Sequence, residues 1–203
     1  MNAQPRASRP DGTARPTGTS VAQPDLATPP SREFGTYKDA TTLVIQRRLP
    51  GPIERVWAYL TDGDLRRQWL AAGDMTLEPG APFELVWRND ELSDPADASP
   101  DGAGSEHRAS CTILEVEPPR KLKYDWPGAG EVTFDLAPDG DKVLLTVTHR
   151  RLTERRLVLM VGAGWHTHLD ILVARIAGTP VPSFWKGWSS LRSEYERRMP
   201  PAA

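Results

Sequence analysis

The stretch from Thr153 to Gly178, TERRLVLMVGAGWHTHLDILVARIAG, restricts the fold of this chain more than any other. Leu157, Val161, Trp165, His168, Leu169, Leu172 and Ile176 recur at helical spacing on one side, with Thr167, Asp170 and Ala174 on the other. The spacing predicts one long amphipathic helix. Thr153 is placed to act as N-cap, and Gly178 before Thr179 and Pro180 is a stop signal. At 1.5 Å rise per residue the helix would be roughly 37 Å long, enough to cross a whole small sheet. Gly162 and Gly164 each cost about 1 kcal/mol relative to alanine inside a helix. They mark either a kink or the close approach of another backbone or a ligand.

A sheet of that kind is written upstream. TTLVIQRRL alternates Leu43, Ile45 and Arg47 against Val44, Gln46 and Arg48, as an antiparallel strand does. Pro52 suits the first turn of a helix carrying Ile53, Val56, Trp57 and Leu60 on one side. A second short helix, starting after Thr61 and Asp62, carries Leu65, Trp69 and Leu70 and stops at Gly73. From there to His149 the period is mostly two. MTLEPGAPFELVW reads as two strands around a Pro79-Gly80 turn, followed by RASCTILEVE, KLKYDW, EVTFDLA and KVLLTVTHR. The turns at Pro118-Pro119, Pro127-Gly128 and Pro138-Asp139-Gly140 are short, which favours a meander over parallel crossovers. Residues 88–106 are the one long connection, acidic and rich in Pro and Gly. After the long helix, Phe184, Trp185, Trp188, Leu191 and Tyr195 share one face of a terminal helical segment, 182–198.

Residues 1–38 are poor in large apolar groups and are expected to be a disordered tail, leaving 39–199 as a single domain. With 38% hydrophobic residues in 203, one core is affordable and two are not. A net charge of −2 excludes a broad nucleic-acid footprint. No membrane span and no signal peptide is read, so a cytoplasmic location is expected. Cys111, the lone cysteine, lies on an alternating strand and is expected to be a buried, inert thiol.

The order of strand, two short helices, antiparallel meander and long C-terminal helix resembles the α+β helix-grip fold of the START/Bet v 1-like (SRPBCC) superfamily. RRLPGPIERVWAYLTDGDLRRQWL, RNDELSDP with EHR, and AGWHTHLDILVARIAGTPVPSFWKGWSSLRSEY bring the chain close to the bacterial group resembling the C-terminal domain of the activator of Hsp90 ATPase. The resemblance covers residues 40 to 199. It implies a curved antiparallel sheet wrapped around the long helix. Members of the superfamily bind apolar molecules between the two, some are cyclases or hydrolases, and the eukaryotic namesake stimulates a chaperone ATPase.

In such a fold the space between sheet and helix is bordered by Trp57, Trp69, Phe83, Trp87, Trp126 or Tyr124, Phe134 and Trp165. These rings either pack a core or line a pocket; the helix glycines and the long loop favour the pocket. Val161, Leu169 and Leu172 would border it from the helix, and His168 would supply a polar contact or a satisfied core histidine. His166 points away beside Asp170, about 200° around the helix from His168, so the two do not chelate one metal. His149, next to Arg150 and Arg151, reads as a solvated strand end, and His107 beside Glu106 closes the acidic loop. That loop lacks the spacing of a calcium site, and no phosphate-binding loop is present, so no metal and no cofactor is expected. No nucleophile elbow appears, leaving a cyclase built on His168, Glu115 or Tyr124 as the weakest reading. The leading expectation is a binding protein for a small hydrophobic or amphipathic molecule. The alternative is an interaction module, partner to a chaperone or another protein, presenting exposed residues such as Arg47 and Lys123.

Overall fold

The period-two segments pair into one seven-stranded sheet, fully antiparallel, in the order β1-β2-β7-β6-β5-β4-β3. The computed structural model describes residues 33–97, 99–100 and 106–198. The strands are β1 (Thr36–Asp39), β2 (Thr42–Pro50), β3 (Pro82–Trp87), β4 (His107–Glu117), β5 (Lys121–Trp126), β6 (Gly130–Asp139) and β7 (Lys142–Arg150). Two short helices, α1 (Ile53–Thr61) and α2 (Gly63–Arg66), follow β2; the long helix α3 (Arg155–Ala177) and α4 (Phe184–Arg198) complete the chain. This is the helix-grip architecture.

The sheet alternates cleanly because one face packs on α3 while the other meets water. Along β7, Val143, Leu145, Val147 and His149 are buried and Lys142 and Arg150 are exposed. The short turns between β4 and β7 act as hairpin connections, as the sequence predicts. The tail does not reach residue 38. Residues 33–38 are ordered, and Tyr37 pairs with Leu43 in an edge strand, while residues 1–32 lie outside the described residues.

The strand expected over Met75–Pro79 does not form. Gly80 and Ala81 hydrogen-bond instead to Ile113 on β4, and a single bridge, Ala72 to Val86, covers the outer edge of β3. Regular helix in α2 ends at Arg66, short of the Gly73 stop. Gly73 serves another purpose: its φ is +116°, and a Cβ there would fall 2.0 Å from the Glu84 carbonyl, so only glycine lets the chain lie this close to β3.

Helix α3 starts one residue later than its sequence signal. Its N-cap is Glu154, with no side-chain cap, so Thr153 does not cap it; Gly178, in left-handed geometry, ends it as expected. By length and composition α3 could cross a membrane, but 72% of that stretch is buried within the protein, between sheet and α4. It is a core helix.

Candidate functional site

The sheet-facing side of α3 meets a chain of rings. Trp87 stacks on Trp126 at 4.8 Å between centroids, Trp126 stacks on His149 at 5.6 Å, and Trp165 meets Phe134 edge-on at 5.5 Å. Phe134 and Phe83 flank Tyr124 from two sides, at 6.0 and 5.4 Å. Every apolar residue expected to line the site joins one continuous cluster: Trp69, Phe83, Trp87, Phe134, Trp165, Leu169 and Leu172 within it, and Trp57, Trp126 and Val161 at its partly exposed margin. None of those residues lines either of two depressions on the described surface. One, of about 10 Å³, lies beside Leu70, Ala72, Val86 and Arg88; the other, of about 410 Å³, is on the outer face of the sheet, around Lys121, Lys123, Glu115 and Arg150.

Two histidines hold this interior together. Trp165 Nε1 donates to His149 Nδ1 at 3.0 Å, which leaves His149 Nε2 to donate to the Ala129 carbonyl at 2.6 Å. His149 is therefore fully buried, not a solvated strand end; period two places it inside with Val147, and its two partners make burial tolerable. His168 Nδ1 lies 2.7 Å from the Trp69 carbonyl, and Trp69 in turn donates its indole N–H to the Tyr59 carbonyl at 2.8 Å. Burial pushes both histidines down to about 4, so both are neutral at pH 7. Burial likewise pushes the Cys111 thiol up to about 12, which keeps it protonated.

The opposite flank of α3 is not solvent-facing. His166 and Thr167 are buried against α4 and the β1 edge. His166 Nδ1 lies 3.3 Å from the Tyr195 hydroxyl, and its Nε2 lies 3.6 Å from Asp170. Arg47, expected at an exposed partner surface, is 2% exposed: it donates to Asp170 at 2.9 Å and to the Glu33 carbonyl at 2.9 Å. Gly162 leaves room for this flank rather than for a ligand, since a Cβ there would sit 2.7 Å from the Tyr37 hydroxyl; beside Gly164 nothing lies within 4 Å. The described part of the long acidic loop is tied to α4, with Trp185 Nε1 donating to Asp90 at 2.6 Å and Ser183 Oγ accepting from the Asp94 backbone at 3.1 Å.

Of the acid-base groups weighed from sequence, Tyr124 points inward and Glu115 outward, paired with Lys121 and Lys123. The sequence reading missed Arg66. It is 1% exposed, donating to the carbonyls of Leu60, Thr61 and Gly73. Its position three residues before Trp69 and four before Leu70 was the available signal, because helical spacing puts all three on one side. Among the described residues no three His, Cys, Asp or Glu side chains converge on one metal position.

The family described as Activator of Hsp90 ATPase homolog 1-like protein matches residues 50–177, more than half the chain. The chain belongs to this family. The match runs from the end of β2 through α3, so it contains the aromatic interior and leaves out β1, Arg47 and α4. No curated protein matches the chain. Among solved structures, the protein encoded by gene BPP1335 from Bordetella parapertussis is 38% identical with a TM-score of 0.69, over 82% of this chain and 91% of that one. CalU16 from Micromonospora echinospora is 26% identical with a TM-score of 0.56, over 77% of this chain and 86% of that one. EF2215 from Enterococcus faecalis shares the fold at 17% identity and a TM-score of 0.56, over 82% and 92% of the two chains.

Proposed function

We propose that this protein binds a small amphipathic molecule, flat and largely apolar, between the sheet and α3. The observation that carries this reading is where the interior is incompletely closed. Leu157 and Val161 on the first turns of α3, and Trp126 at the end of β5, are apolar and only partly buried, while Met160 beside them is exposed. Val161 lies one turn before Trp165, whose His149 partner stacks on Trp126, so these residues share one end of the grip. That end of α3 lacks a side-chain cap and an acidic first turn, and Gly162 and Gly164, each unfavourable inside a helix, follow it within two turns. Lifting the first two turns opens a way to stacked ring faces, against which a flat apolar body is buried at about 25 cal/mol per Å².

The test is titration of the protein with 2-naphthylmethanol, followed by tryptophan fluorescence, beside native mass spectrometry of material from its own host. Saturable binding is expected, and Val161→Trp should weaken it at least tenfold with an unchanged melting temperature. Unaltered binding by Val161→Trp would sink the reading.

The depression of about 410 Å³ on the outer sheet face favours a second reading, docking of a protein partner such as an Hsp90-type ATPase, the partner the family's description names. Arg47, being buried, plays no part in it; Lys121 and Lys123 do. Under this reading Lys121→Glu with Lys123→Glu abolishes partner capture while Val161→Trp leaves it intact.

A further inference from the structure

Two buried polar atoms in the interior have nothing to bond. The Tyr124 hydroxyl and Arg66 Nε are both out of reach of solvent and without a hydrogen-bond partner among the described residues. Arg66 spends its other nitrogens on backbone: Nη1 reaches the carbonyls of Leu60, at 3.4 Å, and Thr61, at 3.1 Å, and Nη2 that of Gly73. Among the described residues no carboxylate hydrogen-bonds it. Asp62 and Asp74 help through space, and the Asp62 carboxylate is already engaged by the Leu65 amide at 2.9 Å. A buried guanidinium balanced only by carbonyls is an expensive arrangement, and an anion brought to it recovers much of that cost.

Resting on the reading above, we infer that Arg66 and Tyr124 form the polar end of the binding site and select an acid, a carboxylate carried on a flat apolar body. Both orphan groups are donors. Arg66 stays a cation even though burial lowers its pKa, and burial raises the Tyr124 pKa, which keeps its O–H intact. The two are close enough to sense each other electrostatically. Two orphan donors beside one net positive charge match an anionic acceptor; a hydroxyl would satisfy a donor but not the charge. The position fits as well. Tyr124 lies two residues before Trp126 on the same face of β5, about 7 Å deeper along the strand. Phe83 and Phe134 wall it, so an aromatic body entering at Trp126 would deliver its carboxylate to this pair.

The test compares 2-naphthoate with 2-naphthylmethanol on the full chain at pH 7.4 by calorimetry, in the unaltered protein, Tyr124→Phe and Arg66→Met. The unaltered protein is expected to prefer the acid at least tenfold. Tyr124→Phe should lose most of that preference, weakening the acid far more than the alcohol, and should melt no lower, because the hydroxyl removed bonds nothing in the protein. Arg66→Met, if circular dichroism shows it folded, should abolish the preference; if it unfolds, Tyr124→Phe decides alone. Equal affinity for acid and alcohol overturns this inference and leaves the binding reading standing, as does an undiminished preference in Tyr124→Phe, which would make the pair a structural element satisfied by water. Failure of both probes to bind overturns the two together.

Discussion

The two sides of α3 are built on different physics. Toward the sheet it presents Trp165, Leu169 and Leu172 to a stack of rings, where shape and apolar area decide the fit. Toward β1, β2 and α4 it presents His166, Thr167 and Asp170 to Tyr195 and Arg47, where hydrogen bonds and one ion pair decide it. The rings on the first side lie within the family match; the second is assembled around Glu33, Tyr37, Arg47 and Tyr195, all outside residues 50–177. The ring stack thus falls inside the family match, and the flank is built largely by segments beyond it.

The largest effect that would sharpen this contrast is Trp165→Ala. Removing an indole from the ring stack should cost about 3–5 kcal/mol, a fall of roughly ten degrees in melting temperature by calorimetry. On the flank, Arg47→Ala takes the guanidinium from Asp170, which keeps His166 beside it and 22% of its side chain in contact with water, so the expected cost is smaller, about 2–3 kcal/mol. A cost below 1 kcal/mol in denaturant titrations would break the comparison by showing the flank to be a dispensable cover.

Acid should act on the sheet side. The folded pKa values of His149 and His168, about 4, lie below the unfolded value of about 6.5, so the unfolded chain takes up protons first. Their contribution is full above pH 7 and is lost as pH falls from about 6.5 toward 4, on the order of 1–2 kcal/mol each by pH 5. Melting temperatures across that range should show a decline that His149→Gln, able to keep both hydrogen bonds, makes shallower. The smallest effects are at the glycines. Gly164→Ala should stabilise by about 0.5–1 kcal/mol, since nothing obstructs the new methyl, whereas Gly162→Ala should gain nothing because its methyl meets Tyr37. Equal gains would mean that the β1 strap yields freely.

Periodicity made the sheet, the helix and the aromatic interior legible, because burial on one face leaves a period of two in strands and 3.6 in helices. Charge overrode that signal in two places where it was correct. Arg47 alternates with Leu43, Ile45 and Leu49, and His149 with Val143, Leu145 and Val147, yet both read as solvated until their partners, Asp170 and Trp165, are seen in space. Residues 33–38 escaped notice for a related reason. Phe34 and Tyr37 are their only large rings, too few to show a period, and their placement comes from Tyr195 and Val158, which lie far along the chain. The donor pair of Arg66 and Tyr124 was half visible, in the spacing of Arg66 with Trp69, but that it lacks acceptors is a property of three-dimensional packing alone.

The Gly35 amide donates to the Tyr195 hydroxyl at 2.9 Å, and the Arg198 guanidinium lies 3.7 Å over the Phe34 ring. The first and last described segments therefore touch. A brief tether joining them, with the backbone opened instead at the hairpin tip around Gly140, would leave every described strand beside its present neighbours, and a rearranged chain that folds with an unchanged circular dichroism spectrum is the expected outcome.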